Sequence, residues 1–129
     1  MIFGIGTDIV RVARMQNNLE RYQERFAARI LTPAELEDFQ VYPKKANFLA
    51  KRFAAKEAAA KAIGLGFRHG LHLRDIGVVH DTYGKPSLVF SGYAARFLEQ
   101  HGIASAHLSL SDEEDLAIAF VTLETAGAD

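Results

Sequence analysis

Apolar and polar positions follow one rhythm in the first half of this chain and another in the second. Residues 2–9, Ile-Phe-Gly-Ile-Gly-Thr-Asp-Ile, read as a strand that carries two glycines and one acid near its end. Apolar side chains then return at Val12, Met15, Leu19, Tyr22 and Phe26, the spacing of one amphipathic helix. Thr32-Pro33-Ala34-Glu35 predicts a helix start, with Thr32 as N-cap, Pro33 in the first turn and Glu35 placed to close a capping box. That helix stops near Pro43. A long helix is predicted over residues 45–63, its centre built almost wholly from strong helix formers, with Gly64 just beyond as the C-cap. From there the pattern favours strands. Residues 73–80 and 86–91 form a hairpin around Tyr83-Gly84-Lys85, residues 92–101 suit a short helix, and residues 105–111 and 116–123 flank the polar turn Asp112-Glu113-Glu114-Asp115. One strand, then helices, then mostly strands is the order of an α+β fold. It predicts an antiparallel sheet packed with a long central helix, not an alternating βαβ chain.

Composition narrows the class. A chain of 129 residues fits a single domain, residues 1–129, and 49% apolar content with 24% charged is enough for an ordinary core. The absence of cysteine excludes disulfides, thiolate metal sites and cysteine nucleophiles. No stretch has the layout of a signal peptide or the roughly 18 apolar residues of a membrane helix, so a cytoplasmic protein is expected, with no membrane partner. A formal net charge of -1 argues against nucleic acid as a partner. The charge is unevenly spread: residues 1–61 hold 11 basic against 7 acidic side chains, and residues 62–129 hold 4 against 9. A basic front half attracts an anionic ligand or an acidic protein face, although solvated helix faces alone produce the same asymmetry.

Few residues stand out as chemistry. Asp8 follows Gly4 and Gly6, which admit close approach of another backbone or a ligand; the competing reading is a cap for the helix that follows. Glu57 and Lys61 lie four apart on one face of the long helix, in line with Phe53. The plain reading is an i,i+4 ion pair. The alanines around them open that face to close approach, and an acid beside a lysine there suits a Mg²⁺–phosphate complex. Asp8 and Glu57 together would supply the one or two carboxylates Mg²⁺ takes, but spacing alone does not bring them together. His107 alternates with Leu108 and Leu110 and shares a polar face with Ser109 and Ser111, either a phosphate or ribose contact or the wet side of a strand. The remaining histidines lack metal-ligand spacing, and no phosphate-binding loop, dinucleotide fingerprint or nucleophile elbow is present. Arg14, Arg21 and Arg25, spaced by seven and four, share a helix face suited to carboxylates, with Glu20 and Glu24 partly neutralising it.

Two stretches resemble a known family. Gly4-Ile5-Gly6-Thr7-Asp8-Ile9-Val10 resembles the first motif of the holo-[acyl-carrier-protein] synthase family of 4′-phosphopantetheinyl transferases. Phe53-Ala54-Ala55-Lys56-Glu57-Ala58-Ala59-Ala60-Lys61 resembles its second, (F/W)-x-x-K-E-(A/S)-x-x-K. Arg25–Thr32, Gly84-Lys85-Pro86 and the strand around His107 extend the similarity along nearly the whole chain, and the single motif pair matches the short, bacterial type. The resemblance implies transfer of phosphopantetheine from coenzyme A to a serine of apo acyl carrier protein, with release of adenosine 3′,5′-bisphosphate, in fatty acid biosynthesis. By the same resemblance Asp8 and Glu57 would hold Mg²⁺ and act with Lys61 in catalysis. Lys61, Gly64 and His107 would belong to the coenzyme A pocket, and Arg14, Arg21 and Arg25 to a carrier-protein contact. The serine proton would go to Glu57 or to a metal-bound water that it orients. A homotrimer with sites at subunit interfaces is implied as well.

Overall fold

A computed structural model describes residues 1–127. In chain order the elements are β1 (Ile2–Arg11), α1 (Val12–Tyr22), α2 (Glu24–Ile30), α3 (Pro33–Val41), α4 (Lys45–Ile63), a 3₁₀ turn (Leu73–Asp75), β2 (Ile76–His80), β3 (Pro86–Phe90), α5 (Gly92–Gln100), β4 (Ile103–Asp112) and β5 (Leu116–Thr125). All strand pairings are antiparallel, in a three-stranded sheet of order β1-β5-β4 and a separate β2-β3 hairpin. The α+β class read from the sequence holds; the strands divide into two pieces.

The long helix is the axis of the fold. Thirteen of its 19 residues are buried, most of them alanines, because the sheet, the hairpin and the other helices surround it. Gly64 closes it in the left-handed conformation, its N–H donating to the Ala60 carbonyl, as the sequence predicts. The inward side of β5 presents Ala117, Ala119, Val121 and Leu123 to this core. On β1 the inward positions are Gly4, Gly6, Asp8 and Val10. A Cβ at Gly4 or Gly6 would lie 2.0 Å or 1.9 Å from a carbonyl oxygen of α4, that of Ala62 or Ala58. The glycines are therefore needed for contact: they let β1 lie flush on α4, with Asp8 next along the same row.

The capping box at Thr32 and Glu35 forms as expected. The first helix does not run through Phe26. It breaks at Gln23, whose φ of 55° is left-handed; its N–H ends α1 on Leu19, and its carbonyl accepts from Phe26 to start α2. The break lets the chain turn so that Ala27 and Ile30 reach the core. No glycine or proline marks it, so the apolar spacing read straight across it.

Candidate active site

Strand β1 and helix α4 bring together the acids that lie far apart in the chain. Asp8 is within β1, paired with Ala119 of β5, and is not a helix cap: the N-cap of α1 is Arg11, without a side-chain cap bond. Lys61 reaches across from α4. Its Nζ donates to the Thr7 carbonyl at 2.9 Å and to Asp8 Oδ1 at 3.1 Å. The expected i,i+4 pair with Glu57 is not among the salt bridges of the described residues; Lys61 pairs with Asp8 instead. Burial raises the pKa of Glu57, and the charge of Asp8 raises it further, while Lys61 and Arg14 pull it down. Glu57 thus shares one electrostatic neighbourhood with Asp8, Lys61 and Arg14.

That neighbourhood fits a hard divalent cation. Two partly shielded carboxylates repel one another close to where Gly6 meets Ala58, with Lys61 paired to Asp8 and with Arg14 nearby. Among the described residues no group of three or more His, Cys, Asp or Glu side chains is placed to hold a metal. A pair of acids is what Mg²⁺ takes when phosphate and water fill the rest of its shell.

The arginines divide. Arg14 stacks over Phe53, one turn before Glu57 on α4, with its guanidinium carbon 5.4 Å from the ring centre. Arg21 packs over its own neighbour Tyr22. Arg25 falls beyond the break at Gln23, so the face expected to carry Arg14, Arg21 and Arg25 together does not exist as one helix surface. Arg25 instead lines a cavity of about 330 Å³ with Tyr22, Phe26 and Arg29. Gly64 lies one turn beyond Lys61, with open space around it. His107 is on the outward face of the sheet, exposed, with Nε2 2.6 Å from Glu124 Oε1. The Asp8 row faces α4 on the other side, so within one chain His107 does not join the Asp8–Glu57 group.

Sequence reasoning missed a buried ionic cluster. Glu35, read only as a cap, is buried with Lys56 and Arg52 of α4. Lys56 Nζ donates to Glu35 Oε1 at 2.7 Å. Arg52 Nε lies 3.4 Å from Glu35 Oε2, without a hydrogen-bond partner among the described residues. The signal was a helix buried nearly all round: charges written into it at Arg52 and Lys56 had no solvent face to occupy.

A glycine-bearing strand thus lies on an alanine-rich helix, with an acid on each and a lysine between. The chain belongs to the 4′-phosphopantetheinyl transferase superfamily, whose family model matches residues 4–121. It is 58% identical over 125 residues to the holo-[acyl-carrier-protein] synthase of Halorhodospira halophila, covering 97% of this chain and 99% of that protein. The crystal structure of holo-[acyl-carrier-protein] synthase from Neisseria meningitidis superposes with a TM-score of 0.92 at 49% identity, over 97% of this chain and 100% of the other. The Helicobacter pylori synthase, solved in complex with coenzyme A, superposes with a TM-score of 0.82 at 30% identity, over 93% of this chain and 99% of that one.

Proposed function

We propose that this chain carries out the holo-[acyl-carrier-protein] synthase reaction, moving 4′-phosphopantetheine from coenzyme A to a serine of apo acyl carrier protein for fatty acid biosynthesis. The observation that carries the reading at the level of residues is the convergence of Asp8, Glu57 and Lys61 where β1 meets α4. Binding alone does not require two acids held against their own repulsion.

Asp8 and Glu57 would hold Mg²⁺, which when bound neutralises charge on the pyrophosphate oxygens. Lys61, half exposed, adds a mobile positive charge at the same oxygens. Glu57 accepts the serine proton, directly or through a water it orients. The serine oxygen forms the new bond to the phosphorus next to pantetheine. The bond to the bridging oxygen breaks, and adenosine 3′,5′-bisphosphate leaves with that oxygen.

Arg14, stacked over Phe53 near Glu57, would hold an acidic carrier protein beside the site. The cavity between Tyr22, Arg25, Phe26 and Arg29, flanked by Arg21, offers charge and apolar contact to the same partner. No helix among the described residues is long and apolar enough to cross a membrane, which accords with work in the cytoplasm. The outward sheet face supports the homotrimer: Ile5, Ile9, Ile118 and Phe120 are each at least 40% exposed there, a patch that self-association would cover. His107 lies on that same face, so assembly through it would place His107 at the boundary between chains.

The test is a mass-shift assay on apo carrier protein with coenzyme A and Mg²⁺. Asp8→Ala and Glu57→Ala should each lose transfer while staying folded by circular dichroism. Near-normal turnover in either removes the metal assignment, and no mass gain with the unmodified chain removes the activity.

A further inference from the structure

Lys56 is fully buried and satisfied. Its ammonium donates to Glu35 Oε1 at 2.7 Å, to the Ile76 carbonyl at 2.6 Å and to the Leu73 carbonyl at 3.2 Å, one acceptor for each N–H. Glu35 accepts the Thr32 N–H and Lys56 on Oε1, and the Val78 N–H on Oε2. Ile76 and Val78 are two apart on β2, so this carbonyl and N–H point to the same edge, the edge not paired with β3. The ion pair stands where a neighbouring strand would stand, with its carboxylate on α3 and its ammonium on α4.

Stability alone does not account for such a pair. Burying two charges costs several kcal/mol each, and well-packed apolar replacements are often neutral or better. What α4 lacks is shape. Beside Asp8 its contact with β1 is alanine against Gly4 and Gly6, with no interlocking side chain to set its rotation there. Side-chain tips lie roughly 5–6 Å from a helix axis, so a turn of about 10° moves one by about 1 Å. The residue after Lys56 is Glu57.

We propose that Glu35 and Lys56 are positioning residues for the transfer reaction. By plugging the edge of β2, their ion pair fixes the rotation and height of α4, so that Glu57 faces Asp8. The inference rests on the site reading given above. A displacement of about 1 Å at a reacting group is worth on the order of 100-fold in rate.

The deciding experiment is the double variant Glu35→Leu/Lys56→Met, which removes both charges and keeps apolar bulk. It should melt below the unmodified protein, because buried Arg52 loses its carboxylate and the Val78 N–H and Ile76 carbonyl lose their partners, so rates are compared well below its own melting temperature. Its kcat should fall about 100-fold and its Mg²⁺ affinity by calorimetry should weaken, with KM for coenzyme A and carrier protein changed far less. A folded double variant with full kcat and unchanged Mg²⁺ affinity overturns the proposal. If that variant does not fold, Glu35→Gln, assayed well below its own melting temperature, decides: reduced kcat at unchanged KM supports positioning, and full kcat overturns it. Asp8→Ala is assayed alongside. Its retention of turnover would defeat the site reading itself, whereas loss in Asp8→Ala with full activity in the double variant defeats only the positioning role.

Discussion

Replacing Gly6 with alanine adds one methyl group to the strand that carries Asp8, two residues away. The methyl would sit 1.9 Å from the Ala58 carbonyl oxygen and 2.8 Å from the Ala62 nitrogen. Ordinary contact begins at 3.4 Å, so β1 must retreat from α4 by about 1.5 Å at that point. Both obstacles are helix backbone, and no side-chain rotation relieves them. Overpacking of this kind costs roughly 1–3 kcal/mol, and occasionally more. For a chain of this size that is a fall in melting temperature of roughly 5–10 °C. The retreat carries Asp8 away from Glu57 and Lys61, so kcat/KM should fall on the order of 100-fold. Thermal melts and the mass-shift assay read the two effects separately. Gly127→Ala, where a Cβ meets nothing, should change neither. Adding Ala58→Gly to Gly6→Ala should restore nothing, because the clash is with the carbonyl and not the methyl of residue 58. Gly6→Ala with unchanged melting and turnover would refute the reasoning; so would rescue by Ala58→Gly.

Three further outcomes bear on the site. Glu57→Gln should stabilise the metal-free protein. Burial and Asp8 raise the pKa of Glu57, so the folded chain keeps that proton to higher pH than the unfolded one. The stability this gives is complete below the unfolded pKa and is lost as pH rises through the folded pKa. The gain from glutamine should therefore be largest at neutral pH and vanish in acid; melts in chelator that show no pH-dependent gain would contradict it. Arg14→Glu should raise KM for carrier protein more than KM for coenzyme A, and equal effects would argue against docking. Phe120→Glu, on the outward sheet face, should dissociate the assembly on size exclusion without unfolding the chain, and an unchanged elution volume would show that this face is not the interface.

Much of this architecture was legible in the sequence because the signals were local. Thr32 and Glu35 sit at capping-box spacing, and the run of alanines to Gly64 marks both the length and the end of α4. The hairpin turn and the acidic turn at residues 112–115 fall where polar residues interrupt apolar alternation. The break at Gln23 was not legible, since a glutamine with positive φ is imposed by packing and leaves no compositional mark. With it went the common face of Arg14, Arg21 and Arg25. Asp8 and Glu57 were legible as a pair through the family resemblance but not from spacing: their meeting depends on a strand lying flush on a helix, a tertiary fact that Gly4 and Gly6 permit but do not announce. Glu35 was legible only in part, because its cap bond is local while its bonds to Lys56 and Val78 are not.

The small contacts between α4 and β1 leave the rotation of the helix to be set elsewhere, and two of its four lysines, Lys56 and Lys61, act on different sides. Lys61 ties the helix to β1 through Thr7 and Asp8, but its side chain is 51% exposed, and an exposed pair is worth about 0–1 kcal/mol. In the proposed reaction Lys61 also turns to the phosphates, so its hold on β1 loosens when alignment matters most. Lys56 is enclosed, and no substrate group competes for its three acceptors. A site that asks one lysine to serve the substrate needs another to hold the frame. The Lys56-Glu57 dipeptide therefore divides its labour by face: the lysine turns inward to the hairpin edge, and the acid turns toward Asp8. Exchanging the charge at either position should be felt at the other, through the rotation of the helix they share.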